Sequence, residues 1–122
     1  MKKLTLTLIA ACLLSLGAAN LSAQTEPKSV IHVITVAWKK GTTPEQIQAA
    51  IDGVNALPGR YKGILRVWTR SIKVQGGKTN AIVMEFADET ALKDYAGSPA
   101  QKEWYKVYMP IRDESTTFDI TN

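Results

Sequence analysis

Few side chains in this sequence can move a proton near neutral pH. His32 is the single histidine, and imidazole is the side chain whose ordinary pKa falls in that range. It sits inside an apolar run, Val30-Ile31-His32-Val33-Ile34. A lone histidine with no ligand pattern around it is more often a packed strand residue than a metal ligand. Glu85 interrupts a second apolar run, with Arg66 and Arg70 as possible ion-pair partners. That pair is either structural or the polar floor of a pocket near His32. Tyr95 either packs with its hydroxyl at the core edge or donates a hydrogen bond to a bound carbonyl or phenol. Gln101 reads first as a helix cap. Trp38, Trp68 and Trp104 suit core or interface positions, and a cavity lined by them would take an aromatic compound. The candidate ligand-binding residues are therefore His32, Arg66, Trp68, Glu85, Tyr95 and Gln101. Tyr95 and His32 are the candidates for any catalysis. No metal site and no cofactor are expected.

These residues need elements to hold them. Apolar and β-branched residues over 30–38 predict a strand with both faces covered, Val30, His32, Ile34, Val36 and Trp38 on one side. Thr43-Pro44-Glu45-Gln46 opens a helix: a cap, a proline at the first position and a capping-box glutamine. Ile47, Ala50, Ile51, Val54 and Leu57 form its apolar stripe, and Pro58-Gly59 is expected to end it. A long strand over 64–74 follows, with Ile64, Arg66, Trp68 and Arg70 on one face. Gln75-Gly76-Gly77-Lys78 turns it into a third strand over 79–87, where Ile82, Met84 and Phe86 share the apolar face. Asp88 caps the next helix and Gly97 breaks it. Ser98-Pro99-Ala100-Gln101 repeats the cap, proline and glutamine order of the first helix. Trp104, Val107, Tyr108 and Ile111 then mark a helical stripe, with a kink or early end at Pro110. A last strand over 114–122 alternates Thr116, Phe118 and Ile120.

The start of the chain is a different kind of sequence. Lys2 and Lys3 precede a largely apolar stretch over 4–17, and small residues follow up to Leu21-Ser22-Ala23. That order is a secretory signal, with cleavage after Ala23 fitting best. The expected division is a signal peptide at 1–23, a flexible lead-in at 24–29 and one domain at 30–122. The apolar run falls short of the roughly 20 residues a spanning helix needs, so no stable membrane anchor is expected. A competing reading makes Cys12 a lipoprotein processing site, but apolar residues continue well past it. Otherwise the sole cysteine leaves with the signal, and the exported or periplasmic chain carries no disulfide or thiolate. Formal net charge is +4, and removing Lys2 and Lys3 leaves 13 basic against 11 acidic residues, a net +2. No basic run with interleaved aromatics exists, so nucleic acid is not an expected partner.

Strand, helix, strand, strand, helix, strand is the split βαβ order: an α+β, ferredoxin-like βαββαβ sandwich with its helices on one sheet face. The other face needs a cover. A second copy laid face to face would close the sheets into a dimeric α/β barrel, and a homodimer is the expected partner state.

The residues Val30-Ile31-His32-Val33-Ile34, the Thr43 helix start, Met84-Glu85-Phe86-Ala87-Asp88-Glu89, Tyr95-Ala96-Gly97-Ser98-Pro99-Ala100-Gln101 and Phe118-Asp119-Ile120 occur in a characteristic order. In that order the chain resembles the stress-responsive dimeric α+β barrel family (Dabb) over nearly all of 30–121. The resemblance implies a dimeric barrel and places His32 along a cavity within the subunit. It also aligns Tyr95 with the tyrosine of a Tyr-x-x-His-Pro-x-His motif that carries acid–base chemistry in polyketide-cyclising members. Ser98 and Gln101 stand where that motif has its two histidines, and a neutral glutamine does not exchange protons near neutral pH. The expected function is an exported stress-responsive A/B barrel protein, a homodimer binding a small apolar or aromatic molecule, without catalysis. The alternative is a cofactor-independent enzyme, polyketide cyclase-like or monooxygenase-like, acting on an aromatic substrate. A third possibility is an exported partner whose sheet face only mediates assembly.

Overall fold

Residues 28–122 are described by the computed structural model. The expected signal segment, with Cys12, and the lead-in up to residue 27 lie outside the described residues. The elements are β1 (Val30–Trp38), α1 (Pro44–Asn55), α2 (Leu57–Arg60), β2 (Ile64–Trp68), β3 (Asn80–Phe86), α3 (Glu89–Tyr95), α4 (Pro99–Tyr108) and β4 (Arg112–Ile120). The strands form one four-stranded sheet in the order β2-β3-β1-β4, and each neighbouring pair is antiparallel. This is the ferredoxin-like α+β fold.

Register decides which side chains share a face, because directly paired residues of an antiparallel ladder point the same way. Val30, His32 and Ile34 pair with Phe86, Met84 and Ile82. Most of these side chains are buried, and they form the sheet's inner face beneath the helices. Ile31 and Val33 pair with Glu85 and Val83 on one side and with Ile120 and Phe118 on the other. These lie on the outer face, which none of the described elements covers. Phe118 and Ile120 are exposed there.

Local chemistry sets the helix starts. Thr43 Oγ1 accepts from the Gln46 N–H at 3.2 Å while Gln46 Oε1 accepts from the Thr43 N–H at 2.9 Å, a complete capping box. Asp88 Oδ1 accepts from the Ala91 N–H at 2.7 Å and opens α3. Ser98 Oγ accepts from the Gln101 N–H at 3.2 Å and opens α4. The glutamine arm of this last cap differs from the first: Gln101 Oε1 takes the N–H of Gly97 at 2.6 Å. The Ser98 N–H is already bonded to the Tyr95 carbonyl at 3.0 Å. Gly97 bridges the two helices with φ +76°, a backbone conformation open to glycine.

Four local expectations need correction. The strand expected over 64–74 stops at Trp68. Beyond it Ser71 Oγ accepts from the Ala81 N–H at 2.7 Å and donates to the Ala81 carbonyl at 3.1 Å. One hydroxyl thus satisfies both backbone groups of Ala81 that a longer β2 would have bonded. A bulge in β2 pairs Ile64 with Phe86 and Arg66 with Glu85. Leu65 is the extra residue, so Ile64 faces inward while Arg66 and Trp68 face outward. Pro58 and Gly59 do not simply end the first helix; they belong to the short helix α2, where the proline sits in the first turn and needs no N–H partner. Finally, β4 begins at Arg112 rather than at 114, and α4, with the early end expected near Pro110, stops at Tyr108 and so leaves Ile111 outside the helical stripe expected to include it. Ile111 is buried without being helical.

The core lies between the inner face and the helices. Trp104 joins them: its indole N–H donates to the Ala50 carbonyl of α1 at 3.0 Å, and its ring stacks on Tyr108 at 4.4 Å between centroids.

Candidate functional site

A cavity of about 170 Å³ opens between the inner face and helices α3 and α4. Its floor is His32 and Ile34 of β1, Met84 of β3, and Ser115 and Thr117 of β4. Its roof includes Tyr95 of α3 and Gln101, Trp104, Tyr105 and Tyr108 of α4. The α4 residues recur at helical i, i+3, i+4, i+7 spacing, so one stripe of that helix lines the space.

Tyr95 is 3 % exposed. Its ring packs on Phe86 and Tyr61, at 5.2 and 5.5 Å between centroids. Its hydroxyl is fully buried and has no hydrogen-bond partner. Burial is the main cause that pushes its pKa well above the ordinary tyrosine value, with the neighbouring Tyr105 adding to it. At neutral pH it is therefore a phenol with a proton to donate. Tyr108 repeats the pattern: 2 % exposed, with a buried hydroxyl that lacks a partner. Burial raises its pKa as well, and Arg112 and Ser115 lie near enough to offset part of the rise. An unsatisfied buried hydroxyl is a standing penalty of about 1–3 kcal/mol. Tyr95 carries that penalty at the cavity wall.

His32 reaches the cavity from β1, edge-on to Phe86. Its Nδ1 lies 2.5 Å from Asp119 Oδ1, directly across the β1–β4 ladder. When Nδ1 carries the proton toward this carboxylate, Nε2 keeps its lone pair, the arrangement that orients an imidazole as a base. Asp119 was not among the sequence candidates. The signal was there: Thr116, Phe118 and Ile120 share the outer face, so Asp119 between the last two must face inward beside His32. Tyr108 and Arg112 were also missed, because a tyrosine on an apolar stripe and an arginine beyond a proline read as core and surface.

Gln101 lines the cavity with both amide ends engaged. Its Oε1 holds the Gly97 N–H, and its Nε2 donates to the Tyr105 hydroxyl at 3.1 Å. His32, Tyr95 and Gln101 are thus brought together. Arg66, Trp68 and Glu85 are not: they lie on the outer face. Arg66, rather than Arg70, pairs with Glu85, Nε to Oε2 at 2.6 Å, and its guanidinium stands 5.8 Å from the Trp68 ring centroid. The Arg66 hydrogen bond is the main cause holding the Glu85 carboxyl below its ordinary range, against the desolvation that raises it. Glu85 is shielded by Arg66 lying over it, not by depth. A polar floor shared by His32 and Glu85 is excluded, since successive strand residues point to opposite faces and His32 pairs with Met84, the neighbour of Glu85. Among the described residues no group of three or more His, Cys, Asp or Glu could hold a metal ion. No helix among them is long and apolar enough to cross a membrane.

No curated protein matches this chain by sequence. Solved structures do match in fold. A hydroxynitrile lyase from Passiflora edulis superposes with TM-score 0.70 at 17% identity, covering 79% of this chain and 94% of the lyase. A dimeric ferredoxin-like protein of unknown function from Thermobifida fusca gives 0.66 at 16% identity, covering 77% and 91%. SnoaB, a cofactor-independent oxygenase from Streptomyces nogalater, gives 0.60 at 14% identity, covering 78% and 93%. The sequence profile of the stress responsive A/B barrel domain matches residues 30–122. With that match spanning every strand and helix described above, the chain belongs to the stress responsive A/B barrel domain (Dabb) family.

Proposed function

We propose that this protein is an exported homodimer that binds a small molecule in the cavity beneath α3 and α4, without chemistry of its own. The observation that carries the reading is the Tyr95 hydroxyl, buried, protonated and unbonded at the cavity wall. Gln101 supports binding over proton transfer, because its amide is held at both ends and cannot act as a base. The outer sheet face is the dimer surface in this reading. The Thermobifida relative, described as dimeric, supports it.

Tyr95→Phe tests the binding reading without knowledge of the ligand. Removing an unsatisfied buried hydroxyl is expected to leave the empty protein as stable as the parent or more stable by about 1 kcal/mol. Urea unfolding reads this directly. A loss of more than about 1 kcal/mol would mean that the hydroxyl is bonded within the fold, and the polar site would disappear.

The His32–Asp119 pair favours a second reading. A carboxylate-oriented imidazole and a tyrosine donor on one cavity suit a cofactor-independent enzyme acting on an aromatic substrate. In it, His32 Nε2 would take a proton and Tyr95 would stabilise the developing oxyanion. The hydroxynitrile lyase and the cofactor-independent oxygenase of the same fold support this reading as fold-level analogy.

A further inference from the structure

The charge on the cavity wall is one-sided. Arg112 lines the cavity, and none of the ion pairs among the described residues includes it. Its guanidinium stands 5.9 Å from the centroid of the Tyr108 ring, where a cation gains from the ring face but keeps donors to spare. No carboxylate belongs to the cavity lining among the described residues. Asp119 is engaged by His32, and it sits far from Arg112. His32 pairs with Asp119 and Trp38 with Arg112, so the two positions lie six residues apart along β1. The cavity therefore has two unlike ends. One holds the Arg112 guanidinium beside the Tyr108 and Ser115 hydroxyls. The other holds His32 and the unbonded Tyr95 hydroxyl. Aromatic rings of α4 separate them.

We infer that the cavity takes a slender organic monoanion, a carboxylate carried on one aromatic ring or a chain of similar bulk, with the carboxylate on Arg112 and Tyr108. This rests on the binding reading above and specifies its ligand class. The size limit follows from volume: a cavity of about 150 Å³ accommodates a benzene-sized ring, and this one is about 170 Å³. A fused multi-ring compound exceeds it. The anion is selected because arginine offers a planar fork of donors matched to a carboxylate.

The test is calorimetric titration of the full protein, freed of bound small molecules by exhaustive dialysis, with cinnamate and its neutral isostere cinnamamide. Cinnamate is expected to bind at least about tenfold more tightly, the margin typical of one charge-assisted contact. Arg112→Gln should bring the two affinities to within about twofold of each other by weakening cinnamate alone, and Arg112→Lys should restore part of the preference. The lysine variant also controls for misfolding, since it retains the charge and most of the stem. Equal affinities in the parent protein, or a preference that survives Arg112→Gln, would overturn the anion inference while leaving a binding cavity. Binding of neither compound would overturn the anion inference. The Tyr95→Phe stability measurement then shows separately whether a polar site exists at all.

Discussion

Trp104→Ala is expected to remove about 3–5 kcal/mol of stability, the range for deleting a large buried aromatic ring. Such a loss approaches the whole margin of a small domain, which runs from about 5 to 15 kcal/mol. The side chain is 1 % exposed and acts in three directions. It stacks on Tyr108, with the ring planes 14° apart. Its N–H ties α4 to the Ala50 carbonyl of α1. It also fills the space left by Gly53, where an added Cβ would come within 2.8 Å of its ring. It thereby ties α4 to α1, so the cavity roof should loosen with its loss. Urea unfolding at constant pH measures the effect, and a loss below about 1 kcal/mol would mean that Trp104 does not hold the helices together.

Phe118→Glu is expected to split the proposed dimer with little effect on the subunit. Phe118 is 46 % exposed and pairs with Val33 in the middle of the outer face. An exposed substitution of this kind changes subunit stability by about 0.5 kcal/mol or less. In a two-fold interface the same change occurs twice. A buried aromatic contact is worth about 2 kcal/mol or more on each side, so the dissociation constant should rise about a thousandfold. Sedimentation velocity near micromolar concentration distinguishes the species. A parent dimer that survives Phe118→Glu would place the interface elsewhere.

The sequence made the scaffold readable because its signals are local. Thr43, Asp88 and Ser98 are caps whose bonds span three residues. Alternation in β1 and β3 shows which residues face inward, and the register confirms Val30, Ile34, Ile82 and Phe86 together there. What escaped were features set by neighbours in space. Ser71 ended β2 by bonding a strand ten residues away. The β2 bulge reversed the alternation between Ile64 and Arg66. The pairing of His32 with Asp119 joins residues 87 positions apart. The site was half legible for the same reason. His32, Tyr95 and Gln101 stand out by type and motif, whereas Arg112 and Tyr108 become a donor pair only when α4 and β4 close over one space.

The central claim is that the space beneath α3 and α4 is occupied in the working protein. Native mass spectrometry of the protein purified from its own host tests it most directly. Two copies of the chain are expected, carrying a reproducible extra mass of one small acid per subunit that is lost on gentle activation. A bare monomer at micromolar concentration, with no added mass, would contradict both the dimer and the occupied cavity.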